Sequence, residues 1–136
     1  MFPKLILALV ASVAVLLPAA VLAQAYPTKP IRLIVPFAPG GTNDILGRMV
    51  ATHLTDRLGQ TMIVDNRPGF QGIIGTDLAA KAAPDGYTLA MISAAYTMNP
   101  VTLKVPYDSI RALEFVARIG ESFLVLSVGQ LLPVNS

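Results

Sequence analysis

The sequence predicts an α/β fold, a doubly wound, parallel-rich sheet flanked by helices. Three observations predict it. Short apolar runs alternate with longer segments in which apolar residues recur at helical spacing. Gly- and Pro-rich stretches punctuate every change between the two. The resulting order, strand, helix, strand, helix, strand, is the one that right-handed crossovers fold into a parallel sheet.

Before that pattern begins, Met1 to Ala25 reads as a secretory signal peptide. Lys4 is followed by the uncharged stretch Leu5 to Leu17, which Pro18 ends. Small-residue cleavage patterns then occur at Val21-Leu22-Ala23 and Ala23-Gln24-Ala25, so a cut after Ala23 or Ala25 is expected. Tyr26 to Pro30 is a stiff linker into Ile31–Val35, an apolar run expected to be a buried strand. Pro36 to Thr42 forms a glycine loop, and Thr42, Asn43 or Asp44 is expected to cap the helix that follows. Ile45, Leu46, Met49, Val50, Leu54 and Leu58 give that helix its periodicity, and Gly59 is its stop signal.

Thr61 to Asp65 is the second strand, ended by Asn66-Arg67-Pro68-Gly69. Ile73 to Ala83 is a helix of small residues, broken by Pro84-Asp85-Gly86. Thr88 to Ser93 is the third strand and Ala94 to Pro100 an irregular loop. Val101 to Ile110 contains a turn at Pro106-Tyr107-Asp108. Phe115 to Ile119 and Phe123 to Val128 are expected to be short strands, whereas Gly129 to Ser136 carries no pattern. No internal repeat and no low-complexity tract follows the leader.

Composition narrows the chemistry. The chain has 136 residues, 54% hydrophobic and 13% charged, which suits one modest domain and argues against disorder. Cysteine is absent, which removes disulfides, thiolate metal sites and cysteine nucleophiles. His53 is the only histidine, so no multi-histidine metal site can form. The formal net charge is only +2 and no basic run occurs, so nothing supports a nucleic-acid footprint. No motif calls for a cofactor.

Three loops could carry function. The first is Val35-Pro36-Phe37-Ala38-Pro39-Gly40-Gly41-Thr42-Asn43-Asp44. A Gly-Gly loop between a strand and a helix exposes backbone N–H groups at the positive end of the helix dipole, an arrangement that suits a carboxylate or phosphate. A plain tight turn with an ordinary capped helix fits the same residues. The loop lacks the Lys-Ser/Thr pair of a P-loop and the Gly-x-Gly-x-x-Gly spacing of a dinucleotide site. The second loop runs from Pro68 to Gly75, with the Gln71 amide available to a ligand or merely part of a turn. The third, Ser93 to Asn99, sets hydroxyls and an amide at a strand end, where they can bind a polar ligand or cap a helix.

His53 falls on the first helix, where a lone histidine is more often a surface residue than a catalyst. Asp44, Asp56, Asp65, Asp77 and Asp85 are scattered, and no nucleophile has an evident base. Binding is therefore favoured over catalysis. The alternative in another class is a small secreted α/β enzyme that works on an anionic substrate through the Gly40-Gly41 loop with Asp44 or His53. A third is an interaction protein that pairs through an exposed sheet edge.

The sequence resembles the Bug family of solute receptors, the extracytoplasmic binding subunits of tripartite tricarboxylate transporters. The resemblance is carried by Tyr26-Pro27-Thr28-Lys29-Pro30-Ile31-Arg32, by Val35 to Gly41 with Asp44, and by Asp65-Asn66-Arg67-Pro68-Gly69. Ala83-Pro84-Asp85-Gly86-Tyr87-Thr88, Asn99-Pro100 and Pro106-Tyr107-Asp108 follow in the family's order, and the whole covers Tyr26 to Val128. It implies a type II periplasmic-binding-protein lobe, and a receptor that captures a small carboxylate for a two-subunit membrane permease. It implies no contact with the membrane except through that permease. Carried over by position, the carboxylate grip falls on Phe37, Ala38, Pro39, Gly40, Gly41 and Thr42, with Asp44 opening the helix. Gln71 and Gly72, and the third loop through Ser93, Ala94, Tyr96, Thr97 and Asn99, form the adjoining wall.

Family members run to about twice this length as two α/β lobes. The resemblance therefore implies that residues 26–128 are the start of the first lobe up to a hinge strand, that 129–136 is a non-matching tail, and that the second lobe is missing. A receptor of that kind is expected to be marginally stable and to bind carboxylates weakly or not at all.

Overall fold

The computed structural model describes residues 26–121, 125 and 127. The leader expected over Met1 to Ala25 lies outside the described residues, as does the tail Gly129 to Ser136. Three strands, β1 (Ile31–Val35), β2 (Met62–Asn66) and β3 (Thr88–Ala90), form one sheet in the order β2-β1-β3. Both pairings are parallel, with Ile31 opposite Met62 and Arg32 opposite Thr88. The α/β reading is therefore what the chain adopts.

Helix α1 (Thr42–Leu58) connects β1 to β2, and α2 (Ile73–Ala80) connects β2 to β3 after a 3-10 turn at Phe70–Gly72. The first connection moves one strand to one side and the second moves two strands back. Right-handed crossovers of opposite direction put α1 and α2 on opposite faces of the sheet. A third helix, α3 (Ala95–Thr102), follows β3.

The apolar runs become strands because burial on both faces suits them. Ile31, Leu33 and Val35 pack with Ala51 of α1, Met62 and Met91, while Leu46, Val50 and Leu54 close over them. Ile34 alternates to the other face and is fully buried. Gly47 lets α1 approach β1, since a Cβ there would sit 3.1 Å from Val35 Cγ2. Gly75 does the same for α2, where a Cβ would fall 2.8 Å from Pro36 Cα. At the opposite end from the loops, Tyr26 donates to Gly86 O (2.6 Å) and Thr28 N–H donates to the Tyr87 hydroxyl (2.9 Å). These bonds pin the segment before β1 to the turn before β3.

Several expectations are corrected. The cap of α1 is Gly41, with no side-chain hydrogen bond, rather than Thr42, Asn43 or Asp44. Helix α2 ends at Ala80 instead of Ala83, because the turn ahead of Pro84 leaves no room for another helical turn. Strand β3 stops at Ala90 rather than Ser93, and Ala94 to Pro100 is largely the helix α3. Asn99 and Pro100 disguise that helix, since a proline removes one N–H and disfavours helical backbone just before it. Buried Tyr96 and Asn99 anchor the helix instead. Phe115 to Ile119 forms no strand and is exposed, Val116 at 84%. Without a neighbouring strand its backbone has no ladder to join. Phe123 to Val128 lies outside the described residues except for Val125 and Ser127, neither of which is in a strand.

Candidate ligand-binding site

All three loops singled out from the sequence leave the carboxyl ends of the parallel strands, and the first and third flank the point where the connections diverge. In open α/β sheets that crevice is where ligands bind. The first loop starts from the buried Pro36 and rises through half-buried Phe37 to exposed Ala38, Pro39, Gly40, Gly41 and Thr42. Gly40 has φ +83°, a left-handed conformation that favours glycine. With Gly41 as the N-cap, the first-turn N–H groups of α1 have no partner four residues back, and no side chain caps them. Among the described residues they have no acceptor, and they lie at the positive end of a helix of 17 residues.

Asp44 does not face solvent. It is 3% exposed, and its Oδ2 accepts the Gly40 N–H (2.8 Å) and Arg48 Nε (3.0 Å). Its Oδ1 accepts Asn66 Nδ2 (2.9 Å), and the same nitrogen donates to Phe37 O (3.1 Å). Arg48 Nη2 completes the ring by donating to Asn66 Oδ1 (3.1 Å). The Arg48 guanidinium, the Gly40 N–H and the Asn66 amide together hold the Asp44 pKa down at about 2. Arg48 and Asn66 were not among the residues picked from the sequence. Arg48 had a signal, the i,i+4 spacing from Asp44, but Asn66 had none, because only the β1–β2 register brings it to the loop.

The second loop is tied to both neighbours. A Cβ on buried Gly72 would lie 3.2 Å from Phe37 Cζ, so the first and second loops are in direct contact. Asn99 Nδ2 of α3 donates to Gln71 O at 3.1 Å. The turn itself is strained, since Phe70 (φ +45°) and Gln71 (φ +57°) take left-handed backbone between Gly69 and Gly72. The Gln71 side chain is exposed beside this rim.

In the third loop the hydroxyls serve the local backbone. Ser93 Oγ accepts the Ala95 N–H at 3.3 Å, and Thr97 Oγ1 donates to Ala94 O at 3.0 Å. Ala94 and Thr97 are exposed, whereas Tyr96 and Asn99 are buried. The Tyr96 ring stacks on Tyr107 with centroids 5.6 Å apart and meets the edge of Phe115. Burial raises the Tyr96 hydroxyl pKa, helped by Tyr107 and Asp108. The structure thus brings the three loops into one rim, with free backbone donors and exposed Thr42, Gln71 and Thr97 on its surface. It turns Asp44, Tyr96 and Asn99 inward as supports.

A shallow groove lined by Arg48, Ala51, Thr52, Thr55, Asp56, Met62 and Val64 runs along the flank of α1 beside β2. It is open to solvent and has no convergent donors, so the loop rim has the stronger claim to a ligand. His53 is exposed and far along α1 from the glycine loop. Among the described residues no group of three His, Asp or Glu side chains could hold a metal ion. No helix among them is long and apolar enough to cross a membrane.

This geometry has relatives. A family model described as tripartite tricarboxylate transporter family receptor matches residues 46–136. Protein BugT of Bordetella pertussis is 41% identical over 121 residues, which is 87% of this chain and 37% of BugT. A solved structure of a periplasmic transporter is 50% identical with a TM-score of 0.59, over 64% of this chain and 30% of that one. MatC from Rhodopseudomonas palustris, solved with bound malate, is 29% identical with a TM-score of 0.56, over 64% and 30% of the two chains. The chain spans well under half the length of the curated relatives it matches. With a parallel sheet, a glycine loop opening its first helix and this set of matches, the chain belongs to the receptor family of tripartite tricarboxylate transporters.

Proposed function

We propose that the rim formed by residues 37–44, 69–72 and 93–99 captures a small carboxylate, a di- or tricarboxylate or a related organic acid, outside the cytoplasmic membrane for delivery to a two-subunit permease. The observation that carries this reading is the uncapped N-terminus of α1 behind the Gly40-Gly41 loop. Its donors are backbone amides fixed in space, which suit a carboxylate without supplying a nucleophile or base. Membership of a receptor family and a relative solved with malate support the same reading. In this reading Met1 to Ala25 is the export signal, and residues 26–128 supply one wall of the site.

The backbone amides of one loop make few contacts to a small acid. Malate is therefore expected to bind weakly, with a Kd on the order of 1 mM. Titration of the full chain with malate, followed by backbone amide NMR, tests this. Saturable shifts at Gly41, Thr42 and Asn43, absent with the uncharged diamide of malate, are the expected result. No shift in that loop at saturating malate refutes the carboxylate reading.

A further inference from the structure

The carboxylate reading names the loop that grips, and the hydrogen bonds beneath it show what holds that loop open. Between Phe37 and Gly40 the chain has to leave the sheet, bulge outward through Ala38 and Pro39, and return to start a helix. Left alone, such a loop would turn its free N–H groups onto its own carbonyls. Two anchors prevent this. Phe37 O is tied down by Asn66 Nδ2 (3.1 Å), and the Gly40 N–H is tied down by Asp44 Oδ2 (2.8 Å). The same Asn66 nitrogen bonds Asp44 Oδ1 (2.9 Å), so both anchors meet in a single side-chain cluster.

Asn66 is suited to the task by position and chemistry. It is the last residue of β2 and stands opposite Val35, the last residue of β1. The Arg67 N–H donates to Val35 O at 2.8 Å, which holds this register just beyond the strand. From there an amide can give one NH₂ to an acidic oxygen and a carbonyl while its own oxygen accepts Arg48 Nη2 (3.1 Å). An aspartate or leucine at this place could not do both. Arg48, for its part, spends its charge on Asp44 at 3.0 Å, so the buried carboxylate does not repel an incoming anion unopposed.

We infer that Asn66 and Arg48 are positioning residues of the ligand site, a clamp at the end of the neighbouring strand that presents the amides of Gly41, Thr42 and Asn43 to a carboxylate. The clamp lowers the ordering cost of binding without touching the ligand. It rests on the carboxylate reading for its purpose, but its mechanical content can be tested with no ligand present.

The experiment uses the full chain and two variants, Asn66→Ala and Asn66→Asp. In Asn66→Ala, backbone order parameters of residues 38–42 are expected to fall while those of β1 and α1 stay at wild-type values. The malate Kd is expected to rise about tenfold, the equivalent of one or two hydrogen bonds. Asn66→Asp sets a second carboxyl against Asp44, where, among the described residues, the only other charged group in hydrogen-bond contact is Arg48. Two carboxyls sharing a site push one pKa up, so the Gly40 amide resonance should titrate between about pH 4 and 7 in this variant. In the wild type it should stay flat above about pH 4, because Asp44 remains ionised there. That titration reports the contact of position 66 with Asp44 and the Gly40 N–H, whereas the loss of loop order confined to residues 38–42 in Asn66→Ala is what a residue that merely stabilised the sheet would not produce. Unchanged loop order and unchanged affinity in Asn66→Ala, or a flat Gly40 resonance in Asn66→Asp, overturns the clamp. If malate moves no resonance of the wild type, the carboxylate reading fails, and the order parameters and the Gly40 titration decide the clamp alone.

Discussion

At the scale of single residues, Asp44 and Gly40 set the character of the site. Asp44 is a buried carboxylate whose pKa lies at about 2, below the unfolded value of about 3.9. A depressed carboxylate contributes stability that is fully present above the unfolded pKa and is lost as pH falls through the folded one. Thermal melts of the wild type should therefore lose stability from about pH 5 down to pH 2. Asp65 shares this trend, because hydrogen bonds from Arg32 and Arg67 outweigh the burial that would raise its pKa. The difference between wild type and Asp44→Asn isolates the Asp44 part, and a pH-independent difference would show that Asp44 is not held ionised. Gly40 makes a separate prediction. Its φ of +83° is costly for any side chain, yet a Cβ there would meet nothing within 4 Å. Gly40→Ala should thus cost about 1–2 kcal/mol of stability through the backbone alone, read as a lower Tm with the core unchanged.

At the scale of elements, the decisive contacts are the two helices laid against β1. Helix α2 touches the sheet through Gly75, where a Cβ would lie 2.7 Å from Arg67 O and 2.8 Å from Pro36 Cα. Both obstacles are backbone, so neither can rotate away. Gly75→Ala should destabilise the chain by about 1–3 kcal/mol. The corresponding contact of α1 is softer, because Gly47 faces the Val35 methyl at 3.1 Å. Denaturant melts should rank Gly75→Ala as the more damaging, and the reverse order would mean that α2 is free to shift. Because α2 also follows the strained turn at Phe70 and Gln71, pushing it outward should loosen the second loop as well.

At the scale of the whole molecule, the apolar side chains exposed among the described residues dominate. Phe70, Ile74 and Leu78 recur at i, i+4 and i+8 and are all exposed, as are Met98 and Val101 of α3. Among the described residues no further strand pairs with β2 or β3, the two edges of the three-stranded sheet. Apolar helix faces and open edges together favour self-association. Sedimentation velocity is expected to show mass rising with concentration, and Ile74→Glu should weaken that rise. A monomer at all concentrations would contradict this expectation.

Much of this was legible in the residues. Ile31–Val35 is continuous and apolar, and a strand buried on both faces needs no more than that. Helix α1 announced itself by periodicity, and Gly59 ends it with φ +67°, the left-handed stop that the sequence predicts. The three loops fell at the strand ends because parallel crossovers leave no other place for them. Two features that the residues did not disclose share one cause. Helix α3 opposes its own local signals at Asn99 and Pro100 and is held by burial of Tyr96 and Asn99, which no local pattern records. Asn66 is likewise a turn residue in sequence and becomes the partner of Asp44 only when β1 and β2 pair. The sequence by itself determined which segments were strands, which were helices and where a ligand could approach. Only the tertiary structure decided which side chains of the loops stay exposed and which hold the first loop from beneath, because hydrogen bonds across 22 or 29 residues exist only after the sheet has set its register.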